Sequence, residues 1–108
     1  MNKVDRKWFL DNGFKESVYE NTKDYQNHMG EVTKEKTTQY GIYFKDRWAR
    51  FDIYYRVTTN KFGDKKIGRY YMFYGHNKKT NFEIENRITY YKPTIEQMQA
   101  ALLVIGIK

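Results

Sequence analysis

From Arg47 to Val57 the chain alternates without a break. Ala49, Phe51, Ile53, Tyr55 and Val57 hold the odd positions, and Trp48, Arg50, Asp52, Tyr54 and Arg56 hold the even ones. A helix would scatter both sets around its circumference, whereas a strand sends successive side chains to opposite faces. The pattern predicts a long strand with one face on a core and one face toward water. A strand of this kind is stable only with paired neighbours and a cover for its apolar side.

The preceding segment supplies the first neighbour. Tyr40, Ile42 and Phe44 share one parity. A tight turn at Lys45-Asp46 would pair Ile42 with Ala49 and Tyr40 with Phe51 on the inner face. The same register sets Tyr43 opposite Trp48 and Glu35 opposite Arg56 on the outer face, so both faces are satisfied at once. Lys-Asp is not a favoured two-residue hairpin turn, and a longer loop is the alternative.

Beyond the long strand, Lys61-Phe62-Gly63-Asp64-Lys65 reads as a turn. A strand over Gly68–Gly75 follows, with Arg69, Tyr71 and Phe73 against Tyr70, Met72 and Tyr74; the pattern leaves its inner parity open. Asn77-Lys78-Lys79 turns the chain again. Phe82, Ile84, Ile88 and Tyr90 then alternate with Glu83, Glu85, Arg87 and Thr89 in a last strand. Near the start, Phe14 to Glu20 alternates as a first strand, while residues 21–32, polar and holding Gly30, read as a loop.

Helices are predicted at both ends. Asn2 or Asp5 can cap the first, Val4 and Trp8 share a face widened by Phe9 and Leu10, and Asn12-Gly13 stops it with Phe14 packing back. Pro93 ends the last strand, and Thr94 with Gln97 forms a capping box. Ile95, Met98, Leu102 and Ile105 make one helical stripe, broadened by Ala101 and Val104, and Gly106 ends it. Residues 1–108 therefore read as one α+β domain of order α-β-β-β-β-β-α. Its centre is a twisted antiparallel meander of four to five strands with both helices on one face.

Charge is distributed unevenly along this frame. The whole formal net charge of +7 lies between Thr37 and Phe82, where Lys45, Arg47, Arg50, Arg56, Lys61, Lys65, Lys66, Arg69, Lys78 and Lys79 face only Asp46, Asp52 and Asp64. Most of the aromatic residues lie in the same stretch. Phosphates attract Lys and Arg, and unstacked bases attract flat rings. The exposed face of the long strand, with Trp48, Arg50, Tyr54 and Arg56 and with Tyr43 beside Trp48, is the leading binding candidate. The bland alternative is a solvated face in which Arg50 and Arg56 pair with Asp52 and Glu35. The turn lysines Lys61, Lys65, Lys66, Lys78 and Lys79 either extend a phosphate track or keep hairpin tips soluble.

Catalytic constellations are thin. His28 and His76 lack metal-ligand spacing, and there is no cysteine. Asp52, Glu83, Glu85 and Arg87 suggest a carboxylate–metal nuclease only weakly, since the glutamates fit the wet side of a strand. Gly63-Asp64-Lys65-Lys66-Ile67-Gly68 lacks the helix a phosphate loop requires. Ser17, the one serine, has no neighbouring base.

The expectation is a non-enzymatic binding protein without cofactor or metal. Its partner would be single-stranded nucleic acid, RNA or a nucleoprotein. The alternative is a protein-interaction or inhibitory module docking on an acidic host protein or a host effector complex, with homodimerisation as another outlet for the same face. No apolar run is long enough to span a bilayer, no signal-type stretch opens the chain and no Asn-x-Ser/Thr sequon occurs, all in line with a cytoplasmic protein. The excess of Lys over Arg, with frequent Asn, Ile and Tyr, is the usage AT-rich codons produce and points to a low-GC bacterium or its phages and plasmids.

Overall fold

The 47–57 alternation becomes the central strand of the sheet, β3 (Arg47–Thr59). It is preceded by β1 (Lys15–Gln26) and β2 (Val32–Tyr43) and followed by β4 (Lys65–Asn77) and β5 (Phe82–Thr89). The computed structural model describes the backbone of residues 2–26, 30–89 and 91–107, and side chains except those of 21–26 and 85–89. Helix α1 (Arg6–Asp11) opens the domain and α2 (Ile95–Ile105) follows the sheet. The five strands lie in sequence order, each antiparallel to the next.

All four pairings expected between β2 and β3 are present: Ile42 with Ala49, Tyr40 with Phe51, Tyr43 with Trp48 and Glu35 with Arg56. The turn between these strands is the tight one, closed by the Phe44 N–H donating to the Arg47 carbonyl at 2.8 Å. Its unfavourable Lys-Asp sequence is braced by the neighbouring turn. There the Lys78 N–H donates to the Asp46 carbonyl at 2.7 Å and Lys79 Nζ lies 3.3 Å from the Asp46 carboxylate.

The expectations for β1 and β5 are corrected. Strand β1 does not stop at Glu20; its backbone runs to Gln26, pairing Tyr25 with Thr33 and Gln26 with Val32 after a register shift beyond Asn21. Pairing to β2 satisfies backbone groups that the polar sequence alone gives no reason to order. In β5 a register shift between the Phe73 and Gly75 pairings breaks the single alternation expected from Phe82 onward. Tyr90 and the side chains of Glu85, Arg87 and Ile88 lie outside the described residues, as does His28.

The helices cover one face. Asp5 caps α1 by accepting the Trp8 N–H at 2.8 Å, and Gly13, at φ 84°, turns the chain so that the Phe14 N–H reaches the Phe9 carbonyl at 3.0 Å. Phe9 stacks on Tyr40 with ring centroids 4.4 Å apart and on Phe51 at 5.3 Å. Both halves of the Thr94–Gln97 capping box form. Met98, Leu102 and Ile105 of α2 are buried against β3–β5, but Val104 is 59% exposed and does not broaden the stripe. One strand glycine makes the contact possible: a Cβ on Gly75 would stand 2.1 Å from Ile105 Cδ1. That contact also settles the parity of β4, with Tyr71, Phe73 and Gly75 inward and Tyr70, Met72 and Tyr74 outward.

The N-terminal segment is tied to the entry of α2. The Val4 N–H donates to the Pro93 carbonyl at 3.1 Å, and the Ile95 N–H donates to the Asn2 carbonyl at 2.9 Å. The sheet outruns this cover. The core cluster ends at Tyr71, with Ile53 packed against its rim. Beyond it, the backbones of β1, β2, β3 and β4 continue as a four-stranded arm in a molecule 51 Å long and 20 Å thick. No helix among the described residues is long and apolar enough to cross a membrane.

Candidate nucleic-acid interface

The face without helices is built in rows across β2, β3 and β4. Tyr43, Trp48 and His76 form the first, followed by Gly41, Arg50 and Tyr74, then Gln39, Asp52 and Met72. Thr37, Tyr54 and Tyr70 come next, then Glu35, Arg56 and Gly68, and finally Thr33, Thr58 and Lys66. Rows recur every two strand residues, or about 6.8 Å.

In the first row Tyr43 stays 61% exposed, while the next two rows are knit together around Asp52. Tyr43 folds over Gly41, where an added Cβ would lie 2.5 Å from its ring, and its centroid is 6.4 Å from Trp48. Asp52 is fully buried although it lies on the helix-free face. Arg50 Nε donates to its Oδ1 at 3.0 Å, and the Tyr54 hydroxyl and Gln39 Nε2 donate to its Oδ2 at 3.1 and 3.4 Å. Burial raises the Asp52 carboxyl above the usual aspartate value, with these donors pulling the other way. Burial raises the Tyr54 hydroxyl as well, helped by the Asp52 charge. Desolvation works against the Arg50 charge, yet the Asp52 carboxylate holds its pKa above the usual guanidinium value. The Arg50 guanidinium also lies 4.5 Å from the Tyr74 ring centroid.

The distal rows are open. Tyr54 and Tyr70 stack at 4.7 Å with their planes 7° apart, and beside them Gly68 has no heavy atom within 4 Å of where a Cβ would stand. The missing side chain leaves a hollow of about 620 Å³ bounded by Arg56, Thr58, Lys66, Arg69, Tyr70 and Glu31. Arg56 pairs with Glu35 at 2.7 Å but keeps 48% of its side chain exposed. Lys66 is exposed, and among the described residues no carboxylate pairs with it.

The sequence candidates therefore separate. Tyr43, Trp48, Arg50, Tyr54, Arg56 and Lys66 share the helix-free face. Lys61 and Lys65 stand at the distal tip, where Asn60 Oδ1 accepts the N–H groups of Phe62 and Asp64, both at 2.9 Å. Lys45, Lys78 and Lys79 lie at the opposite end, as the meander requires. Arg47 and Arg69 face the other way. Arg47 sits against the end of α2, its Cδ 3.6 Å from where a Gly106 Cβ would stand, and complements the negative helix terminus. Arg69 lies over Tyr55 on the helix side of the sheet, 5.4 Å from the ring centroid.

The bland pairing of Arg50 with Asp52 and Arg56 with Glu35 is realised in full. Gly68, Tyr70 and Thr58 were not singled out from sequence. The signal for Tyr70 was its place in the 70, 72, 74 parity, which faces outward only once the β3–β4 register is known. No family model, curated protein or solved structure matches this chain.

Proposed function

We propose that this domain is a non-enzymatic binder of nucleic acid, single-stranded or RNA, that seats its ligand on the distal, helix-free face of the sheet. The observation that carries the reading is the hollow over Gly68, flanked by the stacked Tyr54–Tyr70 pair and by Arg56 and Lys66. A base can lie on an aromatic face while its phosphate meets the neighbouring cations, and each such stack contributes roughly 1–3 kcal/mol. A glycine in mid-strand sacrifices side-chain packing and backbone order, so a hollow kept open at Gly68 fits a face that receives something flat.

Arg56 is the cation to test first, since its exposed guanidinium can exchange Glu35 for a phosphate. Titration of a fluorescent single-stranded oligonucleotide at about 50 and about 200 mM salt should show binding that falls steeply with salt. Tyr70→Ala should weaken it at both salts, and Arg56→Ala should weaken it while flattening the salt dependence. Absence of binding at the lower salt overturns the reading and leaves the basic surface to an acidic protein partner.

A further inference from the structure

The helix-side face of the arm holds a second basic hollow. It measures about 340 Å³ and is lined by Lys36, Thr38, Ile53, Tyr55, Arg69 and Lys92. Three of these six side chains are cationic and none is acidic. Among the described residues, no carboxylate lies within ion-pairing distance of Lys36, Arg69 or Lys92. Glu20 stands opposite Lys36 in the β1–β2 register without closing to an ion pair, and Glu16, which also feels the Lys36 charge, is already bound by Arg6 and by the Tyr40 hydroxyl, each at 2.9 Å.

Arg69 lines this hollow and the one over Gly68. It can do so because of where it stands. Strand β5 pairs with β4 only from Tyr71 to Asn77, so among the described residues the outer edge of Lys65–Tyr70 has no partner strand. Two cationic hollows on opposite faces thus meet at one open edge of a single sheet.

We infer that the ligand is a flexible single strand that turns round this edge, with Arg69 at the turn, and engages both faces of the arm. The inference rests on the proposed nucleic-acid reading and narrows it. Duplex DNA has a persistence length of about 50 nm and cannot fold round one sheet layer, whereas a single strand can. Unpaired N–H and C=O groups of the β4 edge add donors and acceptors along the turn.

The test measures affinity for single strands of about 4, 8 and 12 nucleotides and for a 12-base-pair duplex. Affinity should climb with length, and the salt slope should steepen by about 0.7 for each added phosphate contact. The double substitution Lys36→Gln with Lys92→Gln should cost the 12-mer about tenfold and the 4-mer less than twofold, corresponding to about two lost phosphate contacts near 0.1–0.2 M salt. Gly68→Val, which fills the outer hollow alone, should weaken every length. If Gly68→Val acts but the double substitution leaves the 12-mer unchanged, the inference fails and the outer-face reading stands. A duplex that binds as tightly as the single strand of equal length also overturns the inference. If no oligonucleotide binds at about 50 mM salt, both fall together.

Discussion

Asp52 Oδ1 lies 3.0 Å from Arg50 Nε, and the carboxylate of this pair is buried on the one face of the sheet that no helix covers. The aspartate needs the pair more than the arginine does. Asp52 has no exposure, while the Arg50 side chain keeps 30% of its own.

Asp52→Ala should therefore destabilise the domain by about 2 kcal/mol, less than the 3–5 kcal/mol of a wholly buried pair because Arg50 regains water. Urea unfolding measures it. The pH dependence runs in an unusual direction for an aspartate. Its pKa is raised by burial, so the native state takes up a proton before the unfolded chain does. The Asp52 contribution to stability should rise as pH falls through the native pKa and level off near the ordinary value of 3.8. Asp52→Asn should remove that acid-side gain, read as the difference between the two stability profiles.

Glu16 and Tyr40 behave in the opposite sense. The Tyr40 hydroxyl donates to Glu16 at 2.9 Å, and that bond, ahead of burial and of Arg6, sets the Glu16 carboxyl below 4.5. Burial, with Glu16 second, pushes the Tyr40 hydroxyl up to about 12. Tyr40→Phe should cost about 1 kcal/mol at neutral pH. The loss should shrink as pH falls below 4.5 through the native Glu16 pKa, and the variant should lack the stability loss of the parent between pH 10 and about 12. Thermal unfolding across pH tests both arms.

Gly75 is a packing requirement. With Ile105 Cδ1 2.1 Å from the added methyl, Gly75→Ala should lose about 1–3 kcal/mol as α2 is forced outward. Ile105→Val removes that carbon and alone should cost about 0.5–1.5 kcal/mol. The double substitution should be less destabilised than the sum, and a double-mutant cycle reads the coupling directly.

Gly68 invites the reverse experiment. Nothing stands within 4 Å of its missing Cβ, so Gly68→Val should stabilise the strand by about 0.5–1 kcal/mol while weakening oligonucleotide binding. Melting temperature and affinity moving in opposite directions would mark the hollow as functional. A parallel rise or no change in affinity would assign the glycine to something else.

The β2–β3 register was readable because both faces of the pair agreed on it, apolar on apolar and Glu35 on Arg56. The helix caps were readable because capping is local chemistry. Parity in β4 was not, since Tyr70–Tyr74 carries rings on both sides and the tie is broken by the β3–β4 register and the contact of Gly75 with Ile105. The site suffered from the same blindness. Arg47 and Arg69 look equivalent to Arg50 and Arg56 by composition, yet odd numbering sends them to the helix side. Burial of Asp52 depends on three donors from two strands, and a hollow made by an absent side chain leaves no mark on a sequence.

The bond from Val4 to Pro93 joins a segment made before the sheet to one made after it. Each hairpin of the meander joins neighbours in sequence and can close as it is made. The segment leading into α1 must wait for all five strands before its backbone finds that partner. During synthesis, Phe9 can reach Tyr40 and Phe51 long before α2 exists to shelter the other half of the same layer. The order of assembly is thus written into the topology: sheet first, seal last.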